Sequence, residues 1–347
     1  MSSQATTQSN SPRETARKRY LAASPWRDWL VEPLVADASF RRYFRLRNDA
    51  QSALLMDAPP ETENIASFLA VDLYLQSAGL RAPTIFAQDI ATGFAVIEDF
   101  GDRTYTTLLD AGAEPEPLYS LAVEVLSRLH ASIDPGILEL PRYDDGNYAS
   151  EITLFVDWYW VARTGEPMTA AQKGEYESIW RRLLGNVSTD HECLVLRDYH
   201  VDNLMRIDGQ GTDGCGLLDF QDACIGSRAY DLVSLLEDAR RDVDPAMAKR
   251  LLESYLNNHS ELDRDRFAYD YRVLGAHRHA KILGIFVRLC VRDGKQHYLS
   301  YLPRVQRLFA HSLEDDRLRE LADWFAANHP GAVTEPLAVP PRSACPT

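Results

Sequence analysis

The sequence predicts an α+β fold of two lobes, with a small mixed β-sheet N-lobe and a large, mainly helical C-lobe. Residues 43–98 hold short runs of β-type composition around one segment with apolar residues at helical spacing. Beyond Gly101 the pattern is helical, and strand-like composition is confined to two short runs. The 347 residues suffice for one two-lobed protein with a sizeable core.

The N-lobe is predicted over residues 13–100, after a tail at residues 1–12 whose Ser, Thr, Gln and Asn content predicts disorder. Strands are expected at residues 43–47, 53–56, 84–88 and 94–98. Ile65 and Leu69 belong to a run with helical spacing, so a helix is expected over residues 62–78.

The C-lobe is predicted over residues 101–329, where apolar residues recur every three or four positions. Helices are expected at residues 118–131, 152–163, 170–184, 230–240, 246–257, 264–291 and 296–312. The remaining residues, 330–347, are rich in Pro and Ala and are expected to form a flexible tail.

Composition excludes several classes of partner. A formal charge of −14 argues against binding to nucleic acid or anionic membranes, which relies on clustered Lys and Arg. No apolar run has the length of a membrane span, and the N-terminus lacks the apolar core of a signal peptide. Five scattered cysteines without a Cys-x2-Cys pair fit free thiols in a reducing compartment. A monomeric, cytoplasmic protein with a small-molecule partner is expected.

Two short runs in the C-lobe carry residues suited to phosphoryl transfer. DYHVDN contains Asp198 and Asn203, and LLDFQDA places Asp219 at the end of an apolar run. Phosphoryl transfer needs a carboxylate that takes the acceptor hydroxyl's proton, and oxygen ligands that hold magnesium on the nucleotide phosphates. Asp198 is therefore the predicted base, and Asn203 and Asp219 are the predicted Mg²⁺ ligands in an ATP-dependent enzyme. The competing interpretation is that these are ordinary turn residues.

Two polar residues near these runs have more than one interpretation. His200, inside the first run, can orient the loop by hydrogen bonding to the backbone or can bind the acceptor. Asp231 lies at the start of an amphipathic segment, where a carboxylate is favoured by the helix dipole. Both are candidates for residues that support the catalytic loop or its substrate.

The strings LVLRDYHVDNLM and GLLDFQDACIGSRAYDLVSLL resemble the HGDxHxxN and IDxxDA segments of the aminoglycoside phosphotransferase/choline kinase superfamily. The strings DASFRRYFRL, LLMDAPPE, GFAVIEDFGD and HRHAKILGIFVRL resemble one branch, the anomeric kinases of N-acetylmuramate and N-acetylglucosamine. The resemblance covers residues 26–325 and implies a protein-kinase-like fold in which Asp231 braces the catalytic loop. It also implies ATP-dependent phosphorylation of the C1 hydroxyl of these sugars in peptidoglycan recycling.

The nucleotide side departs from the usual kinase pattern. No Gly-rich loop precedes the strands, and residues 53–57 lack the lysine that kinases place on their third strand. A guanidinium binds phosphate oxygens in a bidentate manner, so an arginine can replace that lysine. The residues expected to bind the triphosphate are Ser39, Arg41, Arg42 and Arg45, unless the arginines are merely exposed strand residues. Glu98 and Phe100 belong to the segment whose backbone is expected to bind adenine.

The residues predicted to bind the acceptor sugar are Glu151, Trp158, Tyr159, His200 and Arg278. Trp158 and Tyr159 share a predicted helix face with Phe155 and can stack on a sugar, although such a stripe is also typical of a core. Arg278, in a largely apolar helix, can meet a substrate carboxylate or can lie on the solvated edge of the helix.

Two other functions compete with an amino-sugar kinase. An aminoglycoside or choline-type kinase would use the same catalytic loop with an acidic acceptor pocket. An inert nucleotide-binding pseudokinase would explain the missing lysine and glycines. The joint presence of Asp198, Asn203 and Asp219 argues against the inert protein, which needs neither a base nor two metal ligands.

Overall fold

The structure of the chain is a computed structural model that describes residues 11–34, 41–131 and 138–337. The chain divides into two compact units, and each is described by itself. The first unit comprises Met1–Leu108 with Leu204–Asp222, and the second comprises Leu109–Asn203 with Ala223–Thr347.

The first unit contains a five-stranded antiparallel sheet in the order β1-β2-β3-β5-β4. Its elements are α1 (Pro12–Ala22), β1 (Leu30–Pro33), β2 (Arg42–Arg47), β3 (Ser52–Asp57), α2 (Ile65–Ser77), β4 (Ile85–Asp89) and β5 (Phe94–Glu98). All four expected strands and the expected helix are present. The helix starts later than expected because the Asn64 side chain accepts the N–H of Ala66 and caps it.

The elements α1 and β1 are not among those expected from the sequence. The sequence of α1 is largely polar, and Leu21 is its one buried residue, so it lacks a clear apolar face. The helix is fixed instead by a Ser11 cap and by an ion pair at 2.5 Å between Arg13 Nε and Asp57 Oδ1. Leu21 then joins Phe44 and other sheet residues in one core cluster.

A short hairpin, β7 (Leu204–Arg206) and β8 (Cys215–Leu217), belongs to the first unit. The expected lobe boundary near residue 100 assigns it to the C-lobe instead. The N–H of Leu217 donates to the carbonyl of Arg81 at 2.8 Å, a pairing that no local sequence pattern reveals.

The second unit is mainly helical. Its strands β6 (Cys193–Val195) and β9 (Cys224–Gly226) pair antiparallel. α3 (Tyr105–Asp110) begins in the first unit and ends in the second. The other helices are α4 (Pro115–Ala131), α5 (Asp145–Leu154), α6 (Val161–Thr164), α7 (Ala170–Leu184), α8 (Ala229–Leu236), α9 (Pro245–Asn258), α10 (Arg264–Val291), α11 (Leu302–Ser312) and α12 (Arg319–Asn328). No helix among the described residues is long and apolar enough to cross a membrane.

The longest helix, α10, forms the centre of the second unit. It packs against α5, α8 and α11, and most of its side chains are buried. Its bounds, like those of α7, coincide with the expected bounds, because a long run of helical periodicity identifies such helices well.

The stretch after residue 329 contradicts the expected flexible tail in its first part. Ala332 and Val333 are buried, and the Ala332 carbonyl accepts the hydroxyl of Tyr159 at 2.8 Å. Gln306 donates its side-chain amide to the carbonyl of Glu335 at 2.8 Å. The backbone carbonyls of this segment accept hydrogen bonds from side chains of other elements. Its amino-acid composition therefore does not predict that it is held in place. Residues 338–347 lie outside the described ranges.

Candidate active site

The loop that carries Asp198 follows β6, and Asp231 fixes its backbone by hydrogen bonds. The buried Asp231 carboxylate accepts the N–H of Leu196 at 2.7 Å and that of Arg197 at 2.9 Å. Asn203 closes the loop, because its Nδ2 donates to the Asp198 carbonyl at 2.9 Å. Since the amide nitrogen faces the backbone, the amide oxygen of Asn203 is the atom suited to a metal.

Both predicted catalytic runs contain or adjoin a residue in the left-handed backbone region. Arg197 has a φ of 68° and Asp219 a φ of 58°. This conformation is uncommon for residues other than glycine and is often found at functional sites, where surrounding contacts hold it. Asp231 and Glu151 are among the residues whose contacts hold Arg197.

The Asp198 carboxylate is half-exposed and faces a buried arginine. Oδ1 lies 3.8 Å from Nη2 of Arg278, which is 3 % exposed. Desolvation tends to raise the pKa of Asp198, but the positive charge of Arg278, with smaller effects of Lys281 and Arg197, outweighs it, and the pKa is lowered. Asp198 is therefore ionised at neutral pH.

A buried group of charges lies beside this loop, with Glu151 at its centre. Oε1 of Glu151 accepts from Nη2 of Arg197 at 2.5 Å and from Nζ of Lys281 at 2.7 Å. Oε2 accepts the hydroxyl of Tyr143. Burial tends to raise the pKa of Glu151, but Lys281, His277 and Arg197 lower it overall, so the carboxylate is ionised.

Two cationic residues in the middle of α10 point into the protein. Arg278 and Lys281 are both less than a tenth exposed, and Nη1 of Arg278 lies 3.4 Å from the hydroxyl of Tyr230. The interpretation of Arg278 as part of a solvated helix edge is therefore wrong. Helical periodicity places a residue on a face but cannot say whether a charged face is covered.

His200 is 4 % exposed, and its Nε2 lies 3.3 Å from Nη1 of Arg240. Burial lowers its pKa, with Arg240 adding to the effect. This placement corrects the prediction that His200 binds the acceptor, because the ring faces another element of the same unit.

The aromatic stripe is part of the core. The segment Phe155–Trp160 forms a π-helical turn, in which Phe155 and Tyr159 still share a buried face. Tyr159 is fully buried with its ring stacked on Phe155 at 4.9 Å, and the predicted sugar stacking by Tyr159 is wrong. Trp158 is half-buried and lies off that buried face.

In the first unit, Asp219 lies beside Arg41. Its Oδ1 is 3.7 Å from Nη2 of Arg41, and the Arg41 Nε lies 3.2 Å from Oε2 of Glu63. The side chain of Asp219 is 48 % exposed, whereas that of Arg41 is 6 % exposed. A half-exposed carboxylate next to a guanidinium that a second acid holds fits a site for magnesium and phosphate oxygens.

The other candidates for the triphosphate differ in placement. Arg42 is exposed at the start of β2, whereas Arg41, directly before the strand, is buried. Arg45 is buried and pairs with Asp99 and Asp102, each at 2.8 Å, so its guanidinium fixes that segment and the predicted phosphate role is wrong. Ser39 lies outside the described residues.

The segment predicted to bind adenine makes hydrogen bonds within the protein at Glu98. The N–H of Glu98 donates to the Thr84 carbonyl at 2.8 Å, and its carboxylate binds Arg81 at 2.6 Å. The amide of Glu98 is therefore not available to adenine, and adenine binding by the rest of this backbone segment stays a prediction. Phe100 is half-buried, with the Arg81 guanidinium 5.1 Å from its ring centroid.

Within residues 11–34, 41–131 and 138–337, no group of three or more His, Cys, Asp or Glu side chains has a metal-binding arrangement. The amide oxygen of Asn203 in the second unit and the carboxylate of Asp219 in the first unit are each a hard oxygen donor of the kind that Mg²⁺ prefers.

Sequence reasoning missed Glu63, Tyr143 and the contact of Arg197 with Glu151. No local pattern indicates Glu63 or Tyr143, because tertiary packing brings them to their partners.

A small antiparallel sheet, a helical unit and an Asp-x4-Asn loop braced by a helix define the protein-kinase-like class of phosphotransferases. The chain belongs to the phosphotransferase enzyme family, whose sequence model matches residues 30–268. It is 36% identical to the N-acetylmuramate/N-acetylglucosamine kinase of Caulobacter vibrioides, over 91% of this chain and 96% of that protein.

Solved structures share the fold at low sequence identity. The choline/ethanolamine kinase family protein from Mesorhizobium loti superposes with a TM-score of 0.60 at 15% identity, covering 92% of this chain and 99% of that one. The ADP-bound aminoglycoside phosphotransferase APH(2'')-Ib gives a TM-score of 0.57 at 15% identity, covering 87% of this chain and 97% of that one. The expected two-lobed, protein-kinase-like fold is confirmed.

Proposed function

We propose that this chain transfers the γ-phosphoryl group of ATP to the anomeric hydroxyl of N-acetylmuramate and N-acetylglucosamine. The sugar 1-phosphates formed would feed peptidoglycan recycling. The similarity to a kinase named for both sugars, at 36% identity over nearly its whole length, is the observation that carries the proposal. The charges around Asp198 support it independently.

Asp198 is the proposed base. Its half-exposed, ionised carboxylate can accept a hydrogen bond from the acceptor hydroxyl and take its proton late in the reaction. The hydroxyl oxygen forms its bond to the γ-phosphorus as the bond to the leaving ADP oxygen breaks. A hemiacetal hydroxyl is more acidic than an ordinary alcohol, so a carboxylate with a lowered pKa suits it.

Bound ATP with Mg²⁺ would supply the phosphoryl group and the cation that offsets its charge. Asn203 and Asp219 are proposed to hold Mg²⁺ through their side-chain oxygens. Arg41, kept in place by Glu63, is proposed to take the role of the missing strand lysine. The backbone after Glu98, at Asp99 and Phe100, is proposed to bind adenine.

The charges near Asp198 favour a neutral or anionic acceptor over a cationic one. Three cations, Arg197, Arg278 and Lys281, accompany two carboxylates of lowered pKa, Asp198 and Glu151, while burial raises the pKa of a third, Asp231, to about 7. The aminoglycoside and choline-type alternatives require a site that accepts an ammonium group, which this excess of positive charge disfavours. Arg278 is proposed to act on the acceptor side, where N-acetylmuramate carries a carboxylate.

The position of the transferred phosphate tests the proposal. The product should be a glycosyl 1-phosphate, with phosphorus coupled to the anomeric proton in NMR, and 1-O-methyl N-acetylglucosamine should be inert. Phosphorylation of that glycoside, or a product phosphorylated at O6, would move the chain to another acceptor class. If none of the acceptors yields a phosphorylated product, the inert nucleotide-binding alternative is favoured.

A monomeric state and a cytoplasmic location are also part of the proposal. Size-exclusion chromatography with light scattering should give a mass near 39.2 kDa, and cell fractionation should recover the protein with cytoplasmic markers. A stable dimer or a periplasmic fraction would contradict these two points without affecting the chemistry.

A further inference from the structure

Glu151 reaches the catalytic loop from a distant element. It lies on α5, 46 positions before Arg197, and its Oε1 accepts from the Arg197 guanidinium at 2.5 Å. Arg197 is the residue directly before Asp198. Any movement of the Arg197 side chain therefore acts on the base through one peptide unit.

The backbone of Arg197 needs such support, because its φ of 68° is unfavourable for a residue with a side chain. Asp231 holds the Arg197 N–H at 2.9 Å, while Glu151 holds the opposite end of the residue, its guanidinium. Two carboxylates from different helices thus fix one strained residue at its main chain and at its side chain. This arrangement restrains the position of Asp198, the next residue in the chain.

Further contacts fix Glu151 itself. Lys281 donates to the same Oε1 at 2.7 Å, the Tyr143 hydroxyl donates to Oε2, and the Arg197 guanidinium lies 5.2 Å from the Tyr143 ring centroid. Glu151 is 8 % exposed. With both oxygens engaged by protein donors and little surface left, it is poorly suited to bind a sugar.

We propose that Glu151 is a positioning residue that aligns Asp198 through Arg197, and that it does not contact the acceptor. This assignment replaces the predicted substrate-binding role of Glu151. It rests on the proposed role of Asp198 as the base, so the two must be tested separately.

The main test is Glu151→Gln, which keeps the shape of the side chain and removes its charge. We expect kcat to fall on the order of 10²-fold, the loss associated with a misplaced catalytic group, with little change in KM for the sugar or for ATP. Hydrogen exchange should accelerate at Leu196 and Arg197, whereas the core of α10 should stay protected. A general loss of structure would accelerate both.

Double substitution shows whether Glu151 acts through Arg197. Arg197→Met should lower kcat as Glu151→Gln does, and the double variant should lose little more, because both remove one interaction. Lys281→Met removes another donor to the same oxygen but leaves the pair with Arg197, so its loss of kcat should be smaller. Glu177→Gln on α7 is the matched control and should keep the parent kcat.

Several outcomes would overturn the inference. A raised KM for the sugar with unchanged kcat in Glu151→Gln would mean that Glu151 binds the acceptor. If the fold-losses of kcat in the two single variants multiply in the double variant, Glu151 and Arg197 act independently. If Glu151→Gln does not fold, Arg197→Lys provides the test, since it keeps the charge but not the planar geometry. An inactive Asp198→Asn beside a fully active Glu151→Gln would refute the positioning role alone, whereas an active Asp198→Asn would refute the base itself.

Discussion

At the scale of single residues, Asp198 gives the most direct prediction. Asp198→Asn removes the proton acceptor but keeps the size of the side chain, so kcat should fall on the order of 10²-fold or more. Calorimetry should show that ATP binding is nearly unchanged. Asp208→Asn, on an exposed turn of the chain, is the matched control and should keep full activity. Equal activity of Asp198→Asn and parent would exclude Asp198 as the base.

Two adjacent arginines provide a paired prediction for the nucleotide. Arg41 is buried beside Asp219 and Glu63, whereas Arg42 is exposed at the start of β2. Arg41→Met should weaken ATP binding by about 10- to 100-fold, the value of a charge-assisted hydrogen bond. Arg42→Met should bind ATP like the parent in the same calorimetric titration. An equal effect of both substitutions would point to general electrostatics instead.

The sequence identified the candidate residues that share a short run and missed those that tertiary packing brings together. Asp198 and Asn203 follow from spacing within one loop, so a single sequence suffices to propose them. Glu63 and Tyr143 contact their partners across helices and strands, and no local pattern encodes that contact. Tyr159 does share a face with Phe155, but residue spacing cannot distinguish a core face from a face that stacks on a sugar.

At the scale of elements, α10 links stability to pH through His277. His277 is fully buried, and burial lowers its pKa to about 4. In the unfolded chain it binds a proton at higher pH, so its contribution to stability is present above about pH 6.5 and is lost as pH falls towards 4. Asp231, whose pKa burial raises to about 7, acts in the opposite direction in this window.

Because His277 and Asp231 have opposite effects on stability, the prediction concerns the difference in unfolding free energy between the parent and a His277 variant. His277→Gln should reduce the loss of unfolding free energy between pH 7 and pH 4 by up to roughly 3 kcal/mol. Urea titrations at several pH values measure it. His311→Gln, at an exposed site on α11, is the matched control. If the unfolding free energy of His277→Gln depends on pH as that of the parent does, the His277 ring takes up its proton in the folded protein as readily as in the unfolded chain.

Two glycines on different helices test the packing of α5 against α10. A Cβ at Gly284 would lie 2.2 Å from the backbone oxygen of Leu154, whereas a Cβ at Gly174 on α7 would meet nothing within 4 Å. Gly284→Ala should therefore lower the melting temperature markedly. Gly174→Ala should raise stability by about 0.5–1 kcal/mol, since alanine favours the helix. A stable Gly284→Ala protein would mean that the two helices move apart easily.

At the scale of the whole molecule, long periodic elements were predictable and cross-chain pairings were not. The bounds of α7, α10 and β5 followed from their own residues. The hairpin at 204–222 was assigned to the wrong unit because its partner segment, near Arg81, lies far away in sequence. The polar helix α1 escaped prediction because it buries little and depends on ion pairs with the sheet.

The net charge and the local charge make opposite predictions for the acceptor. The chain carries −14 overall, which attracts cations such as choline or an aminoglycoside. Beside Asp198, however, Arg197, Arg278 and Lys281 outnumber the two carboxylates of lowered pKa, Asp198 and Glu151, since burial raises the pKa of Asp231 to about 7. Charges beyond about 8 Å are largely screened at physiological salt, so the local cations should decide.

Choline and aminoglycosides should therefore neither be phosphorylated nor inhibit the sugar reaction in a coupled assay at physiological ionic strength. The kcat/KM for neutral N-acetylglucosamine should change little with added salt, because this sugar carries no charge on which the net or the local charge of the protein could act. N-acetylmuramate carries a carboxylate, so its kcat/KM should fall with added salt, and the neutral sugar run in parallel controls for general salt effects on the enzyme. Turnover of choline at a rate comparable to the sugars would contradict the local-charge argument and restore the amino-alcohol kinase alternative.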